Sequence, residues 1–108
     1  MIGKRIKELR LNRKMTQEEL GKIIGVTTSM IGMYETGVRN PSYTVLNKIA
    51  EYFNVTTDYL LGLEEKEDAE IRAIARAFKN LSSEKRELLF KLAESMAEEA
   101  EKDKNGEN

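Results

Sequence analysis

A chain of 108 residues with 18 Lys/Arg, 19 Asp/Glu, no His and no Cys carries a formal charge of −1, and that length suits one compact domain with an appendage, leaving little room for a separate catalytic or ligand domain. Without Cys there is no disulfide framework or thiolate metal site, and without His the commonest general base and transition-metal ligand are missing, so enzyme activity, cofactors and metal centres are not expected. No apolar run approaches a membrane span and the charged segment from Met1 to Lys14 has no signal-peptide core, so a cytoplasmic location without membrane association is expected.

The acidic balance argues against a nucleic-acid partner until the chain is divided. Residues 1–62 hold nine Lys/Arg against six Asp/Glu, net +3, whereas 63–108 hold nine against thirteen, net −4. The basic half is the half with the most organised pattern.

In chain order, Ile2, Ile6 and Leu9 set an apolar face continued by Leu11, with Lys4, Arg5, Lys7 and Arg10 around it. This predicts an amphipathic helix over 2–13 whose basic face is solvated. Thr16 followed three residues later by Glu19 is a capping box, so a second helix starts at Gln17, carries Leu20, Ile23 and Ile24, and stops at Gly25. Thr27 caps a third helix, with Ile31 and Tyr34 behind Val26, closed by Thr36-Gly37 and Asn40-Pro41. Two short helices joined by a tight turn result. With Val26, Ile31 and Tyr34 inward, Thr28, Ser29, Gly32 and Met33 point outward. Such a helix can lie in the major groove of DNA while the preceding helix's N-terminus faces a phosphate. Spacing alone fits two packed helices of any small helical domain equally well.

Ser42 caps a fourth helix with Leu46, Ile49, Ala50 and Phe53 on one face. Asn54 ends it, and Val55, Tyr59, Leu60 and Leu61 mark a short fifth helix capped near Thr56 or Thr57 and stopped by Gly62. From Leu63 the chain turns acidic and Ala-rich. Ile71, Ile74, Ala75, Phe78 and Leu81 form the stripe of a sixth helix, and Ser82 caps a seventh with Leu88, Leu89, Leu92 and Met96 apolar, flanked by Ala93, Ala97 and Ala100. Residues 102–108 read as a frayed tail, disordered from 104.

The run T-Q-E-E-L…G-V-T-T-S-M-I-G-M-Y-E-T-G-V-R-N-P, preceded by I-G-K-R-I-K-E-L-R and followed by L-N-K-I-A-E-Y-F-N-V-T-T-D-Y-L-L-G, resembles the Cro/CI-type (XRE-family) helix-turn-helix transcriptional regulators, the group of the phage lambda and 434 repressors, over residues 2–62. The resemblance implies an all-α chain: a five-helix lambda-repressor-like DNA-binding domain over 1–62, followed by a C-terminal two-helix hairpin over 63–103. It also implies that Gln17, Thr27, Arg39 and Asn40 meet the sugar-phosphate backbone and that Thr28, Ser29, Gly32 and Met33 face the bases. By the same resemblance Arg10 pairs with Glu35; without it, the two read as unrelated surface charges worth at most about 1 kcal/mol. In the family the fifth helix often joins a dimer contact, though burial in the monomer explains its residues as well.

Many relatives carry Gln, Arg or Asn at the four base-facing positions, types that bond bidentately to adenine or guanine; none stands here. Thr and Met methyls suit thymine methyl groups, so the expected target is an A·T-leaning inverted-repeat operator in double-stranded DNA, read partly through shape. Gly32 costs a helix roughly 1 kcal/mol against Ala, and either close approach to DNA or neutral drift accounts for it.

A two-helix hairpin has too little core to stand alone. It packs on its own domain or pairs with a copy of itself, and self-pairing through Leu88, Leu89, Leu92 and Met96 is preferred because one monomer covers only one half-site. The expected protein is a homodimeric repressor of a bacterial, phage or mobile-element promoter. The alternative is an antitoxin-like or antirepressor-binding module whose hairpin holds another protein, with DNA binding secondary. Carboxylates such as Glu18 and Glu19 sit on capping positions with no catalytic constellation around them.

Overall fold

Hydroxyl side chains start four helices of the N-terminal half. In the computed structural model, which describes residues 1–106 and side chains through Lys102, the oxygens of Thr16, Thr27, Ser42 and Thr56 accept from the backbone N–H groups of Glu19, Met30, Val45 and Tyr59 at 3.0–3.2 Å. Each satisfies one of the donors a helix start leaves orphaned. The described residues form seven helices and no strand: α1 (Ile2–Asn12), α2 (Gln17–Ile24), α3 (Thr28–Thr36), α4 (Tyr43–Tyr52), α5 (Thr57–Leu60), α6 (Lys66–Lys79) and α7 (Ser83–Gly106). None is long and apolar enough to cross a membrane.

The chain divides into two compact units, Met1–Ile74 and a second beginning at Ala75. In the first, Ile6, Leu20, Ile31, Ile49, Val55 and Leu60 are completely buried. Helices α1, α2, α3, α4 and α5 and the loop before α5 each supply one anchor to a shared core, so no helix of the five is stable apart from it. Two backbone approaches set the packing. A Cβ on Gly21 would meet the Val26 carbonyl oxygen at 2.7 Å, and one on Gly3 would meet that of Glu35 at 2.6 Å. Gly25, at φ +88°, makes the left-handed turn between α2 and α3 that a side chain would strain.

Several expected core positions face solvent. Leu11 is exposed while Arg10 is buried, because position 10, one turn after Ile6, lies on the packed side of α1 and position 11 has rotated past it. The Arg10 side chain is therefore not part of a solvated basic face. Ile23 is half exposed, since the contact at Gly21 turns the Leu20, Gly21 and Ile24 face of α2 inward. On α6, Ile71 and Ile74 are exposed whereas Ala69 and Ala73 are buried; small side chains let this helix approach closely. Consequently the first unit runs past the boundary expected at residue 62, to Ile74 inside α6. Arg5 and Arg72 secure that extension. The Arg5 guanidinium donates to the carbonyl oxygens of Tyr59 and Glu64 and stacks 4.3 Å from the Tyr59 ring centre, and Arg72 bridges the carboxylates of Asp58 and Glu64.

In the second unit, Arg86 near the start of α7 donates to the Phe78 and Lys79 carbonyls at 3.0 and 2.7 Å, satisfying the end of α6. Leu88, Leu89, Phe90, Leu92 and Met96 on α7 are all exposed. The backbone of α7 is helical to Gly106; the tail expected at 104–108 lies outside the residues whose side chains are described.

Candidate nucleic-acid interface

The position of α3 is set by a buried polar hub. The Arg10 guanidinium donates through Nε to Glu35 Oε2 at 2.7 Å, through one terminal nitrogen to Glu35 Oε1 at 3.0 Å, and through the other to the Met15 carbonyl at 2.7 Å. Gln17 Nε2 adds a bond to Glu35 Oε1 at 3.1 Å. Side-chain exposure is only 9% for Arg10 and 3% for Glu35, so the charges are compensated by each other rather than by water. Hydrogen bonding to Glu35 holds the Arg10 pKa above the ordinary guanidinium value, against the opposing effect of burial. The hub joins α1, the α1–α2 loop, the first residue of α2 and the last turn of α3. It orients the α2 N-terminus and α3 as one piece.

On that piece Thr28 and Ser29 are exposed, and Gly32 and Met33 are half buried. A Cβ at Gly32 would stand 3.7 Å from both the nitrogen and the oxygen of the Gln17 carboxamide, so the structure brings the expected base-facing position 32 against the expected phosphate-facing Gln17. Thr27 is committed as the α3 cap. Arg39 and Asn40 are exposed in the loop after α3, where Arg39 N–H donates to the Met33 carbonyl at 3.2 Å and its guanidinium lies 3.8 Å from the Met30 sulfur. Leu88, Leu89, Leu92 and Met96 belong to the other compact unit.

Two exposed apolar residues of this region escaped sequence reasoning. Val38 and Tyr43, 76% and 73% exposed, flank Arg39-Asn40-Pro41. The available signal was their placement on either side of the turn at Asn40-Pro41.

The arrangement defines a class, the all-α lambda-repressor-like helix-turn-helix domain. A family model described as "Helix-turn-helix" matches residues 6–60, and the chain belongs to that family, the XRE type. It is 38% identical over 64 residues to the HTH-type transcriptional regulator ImmR of Bacillus subtilis, an alignment covering 59% of this chain and 50% of ImmR. The chain thus spans about half the length of that relative. Among solved structures it is similar to the P22 c2 repressor in complex with a synthetic operator, with 30% identity and a TM-score of 0.57 over 59% of this chain and 97% of the repressor chain. It is also similar to the SinR/SinI protein complex, with 26% identity and a TM-score of 0.53 over 90% of this chain and 99% of that one.

Proposed function

We propose that this chain is a sequence-specific DNA-binding transcriptional regulator, a homodimeric repressor of a bacterial, phage or mobile-element promoter that acts in the cytoplasm without catalysis or a cofactor. The observation that carries the reading is the Arg10–Glu35–Gln17 hub, which fixes the α2 N-terminus and α3 together as groove-and-phosphate docking requires. Similarity to a repressor bound to a synthetic operator supports it.

In this reading Thr28, Ser29, Gly32 and Met33 face the major groove, and their methyl and hydroxyl groups favour thymine methyls over bidentate purine bonds. Gln17, Thr27, Arg39 and Asn40 meet phosphates through side chains or the free N–H groups of a helix start, setting register without reading sequence. The exposed stripe Leu88, Leu89, Leu92 and Met96 pairs two copies across an inverted repeat.

Selection of bound sites from a randomised duplex pool at near-physiological salt tests this. An A·T-leaning inverted repeat, with half-sites about one helical turn apart, is expected. A consensus dominated by invariant G·C pairs overturns the base-reading assignment, and absence of any enrichment overturns sequence-specific regulation.

A second reading has its own support. One similarity that spans nine-tenths of this chain is to a complex of two proteins, and α7 exposes five large apolar side chains. Both fit a module whose C-terminal helices hold a different polypeptide, antitoxin-like or antirepressor-binding. Failure of site selection together with a stable heterologous complex favours it.

A further inference from the structure

The α7 surface carries more information than apolar exposure. Leu92 sits at the centre of a pattern that is symmetric in position and antisymmetric in charge. Leu88 lies four residues before it and Met96 four after; Lys85 lies seven before and Glu99 seven after. At 100° per residue, all five fall on one side of the helix, within an arc of about 80°. All five are exposed. Residues 83–92 hold Lys85, Arg86 and Lys91 against Glu84 and Glu87, net +1, while 93–102 hold Glu94, Glu98, Glu99 and Glu101 against Lys102, net −3.

We infer that α7 pairs with α7 of a second copy of this chain in antiparallel orientation, about a two-fold axis at Leu92. Leu92 then meets Leu92, Leu88 meets Met96, and Lys85 meets Glu99 at both ends of the apolar seam. A parallel pair uses the same apolar residues but places Lys85 on Lys85 and Glu99 on Glu99, and sets the two net −3 halves side by side. Charges flanking an apolar seam are what select partner and direction in paired helices. The occupant of the stripe is therefore a second copy, because the surface is complementary to itself only when reversed. This rests on the homodimer proposed above and adds its direction and axis.

The chain has no native cysteine, so site-directed crosslinking is clean. Lys85→Cys and Glu99→Cys proteins, each still full length, are treated with a short bis-maleimide separately and as an equimolar mixture, beside sedimentation of the unmodified chain at high micromolar concentration. The expected result is a dimer in sedimentation, with covalent dimer formed in the mixture and little in either variant alone. Self-crosslinking of the single variants at least as strong as in the mixture overturns the antiparallel direction and leaves the homodimer standing. A sedimenting dimer with no crosslink anywhere overturns α7 as the interface. A monomer overturns the direction and the homodimer together, and if the chain still selects an operator site, the DNA-binding reading survives.

Charge reversal supplies an independent readout. Lys85→Glu places a second carboxylate opposite Glu99 at each end of the seam and is expected to weaken association about tenfold; Lys85→Glu with Glu99→Lys is expected to restore it. Equal affinity of the single variant and the unmodified chain overturns the assignment.

Discussion

Glu35 accepts from Arg10 at 2.7 Å and from Gln17 at 3.1 Å, so one carboxylate at the end of α3 is shared by α1 and by the first residue of α2. Such sharing makes the pair a positioning device more than a source of stability. A buried ion pair returns little beyond its desolvation cost, but its geometry admits few alternatives.

Removing one partner leaves the other charged and buried. Glu35→Ala is expected to cost about 3–5 kcal/mol in urea unfolding, and Arg10→Met similarly, because it strands Glu35 and the Met15 carbonyl. The double variant Arg10→Met/Glu35→Leu is expected to cost clearly less than the two singles combined. It should nevertheless bind operator DNA more weakly than its stability alone explains, since Gln17 loses its anchor. Additive losses in unfolding would show that the charges do not depend on each other.

Gly3 and Gly32 make a contrasting pair. At Gly3 a Cβ would press on the Glu35 carbonyl at 2.6 Å, a backbone atom that cannot swing aside, so Gly3→Ala is expected to destabilise the fold by about 1–3 kcal/mol. At Gly32 the nearest atoms are at ordinary contact distance, 3.7 Å, and Gly32→Ala is expected to raise stability by up to about 1 kcal/mol. If α3 lies close against DNA, the same methyl weakens operator binding. Thermal melts and operator titration of the two variants separate these effects.

Local chemistry was legible in the sequence and long-range compensation was not. The capping box at Thr16 is complete in four letters and the caps at Thr27 and Ser42 are decided within three residues, whereas Thr56 and Thr57 read alike and the structure uses Thr56. Arg10 is different. Spacing favours Leu11 as the buried neighbour, and only a carboxylate 25 residues away makes a buried guanidinium tolerable. The docking of α6 was hidden for another reason: its large residues, Ile71 and Ile74, draw attention to the face that the structure leaves in water, while the packed face consists of alanines whose virtue is the room they leave.

That docked face gives a third prediction. Ala69 is fully buried against the core of the first unit, so Ala69→Leu is expected to overpack and destabilise it by about 1–3 kcal/mol, whereas Ala75→Leu, at an exposed position, should change stability by less than about 0.5 kcal/mol. Equal, small effects at both sites would show that Ala69 does not pack into that core.

Alkaline pH probes the α1–α5 contact. Burial, opposed by the nearby Arg5, raises the Tyr59 pKa above the ordinary phenol value of about 10. Because the folded state then holds this proton to higher pH than the unfolded chain does, the contribution is complete below about pH 10 and is lost as pH rises through the folded value. Tyr59→Phe is expected to flatten that part of the alkaline stability loss. An unchanged slope in urea midpoints measured from pH 8 upward would place the loss elsewhere.

Arg39 and Thr28 separate positioning from reading. Arg39 is exposed, and its guanidinium donates to the Met30 thioether at 3.8 Å, a weak partner that a phosphate oxygen readily displaces. Arg39→Ala is therefore expected to leave stability within about 0.5 kcal/mol, to weaken operator and random-sequence DNA alike, and to reduce the slope of log affinity against log salt by about one. Thr28→Ala, which removes a methyl and a hydroxyl from the first turn of α3, is expected to leave the salt slope intact and lower the preference for the selected site over its single-base variants. Filter-binding titrations across a salt series, run on both DNAs with both variants, check the pair. A loss confined to operator DNA in Arg39→Ala would move that arginine from the backbone to the bases.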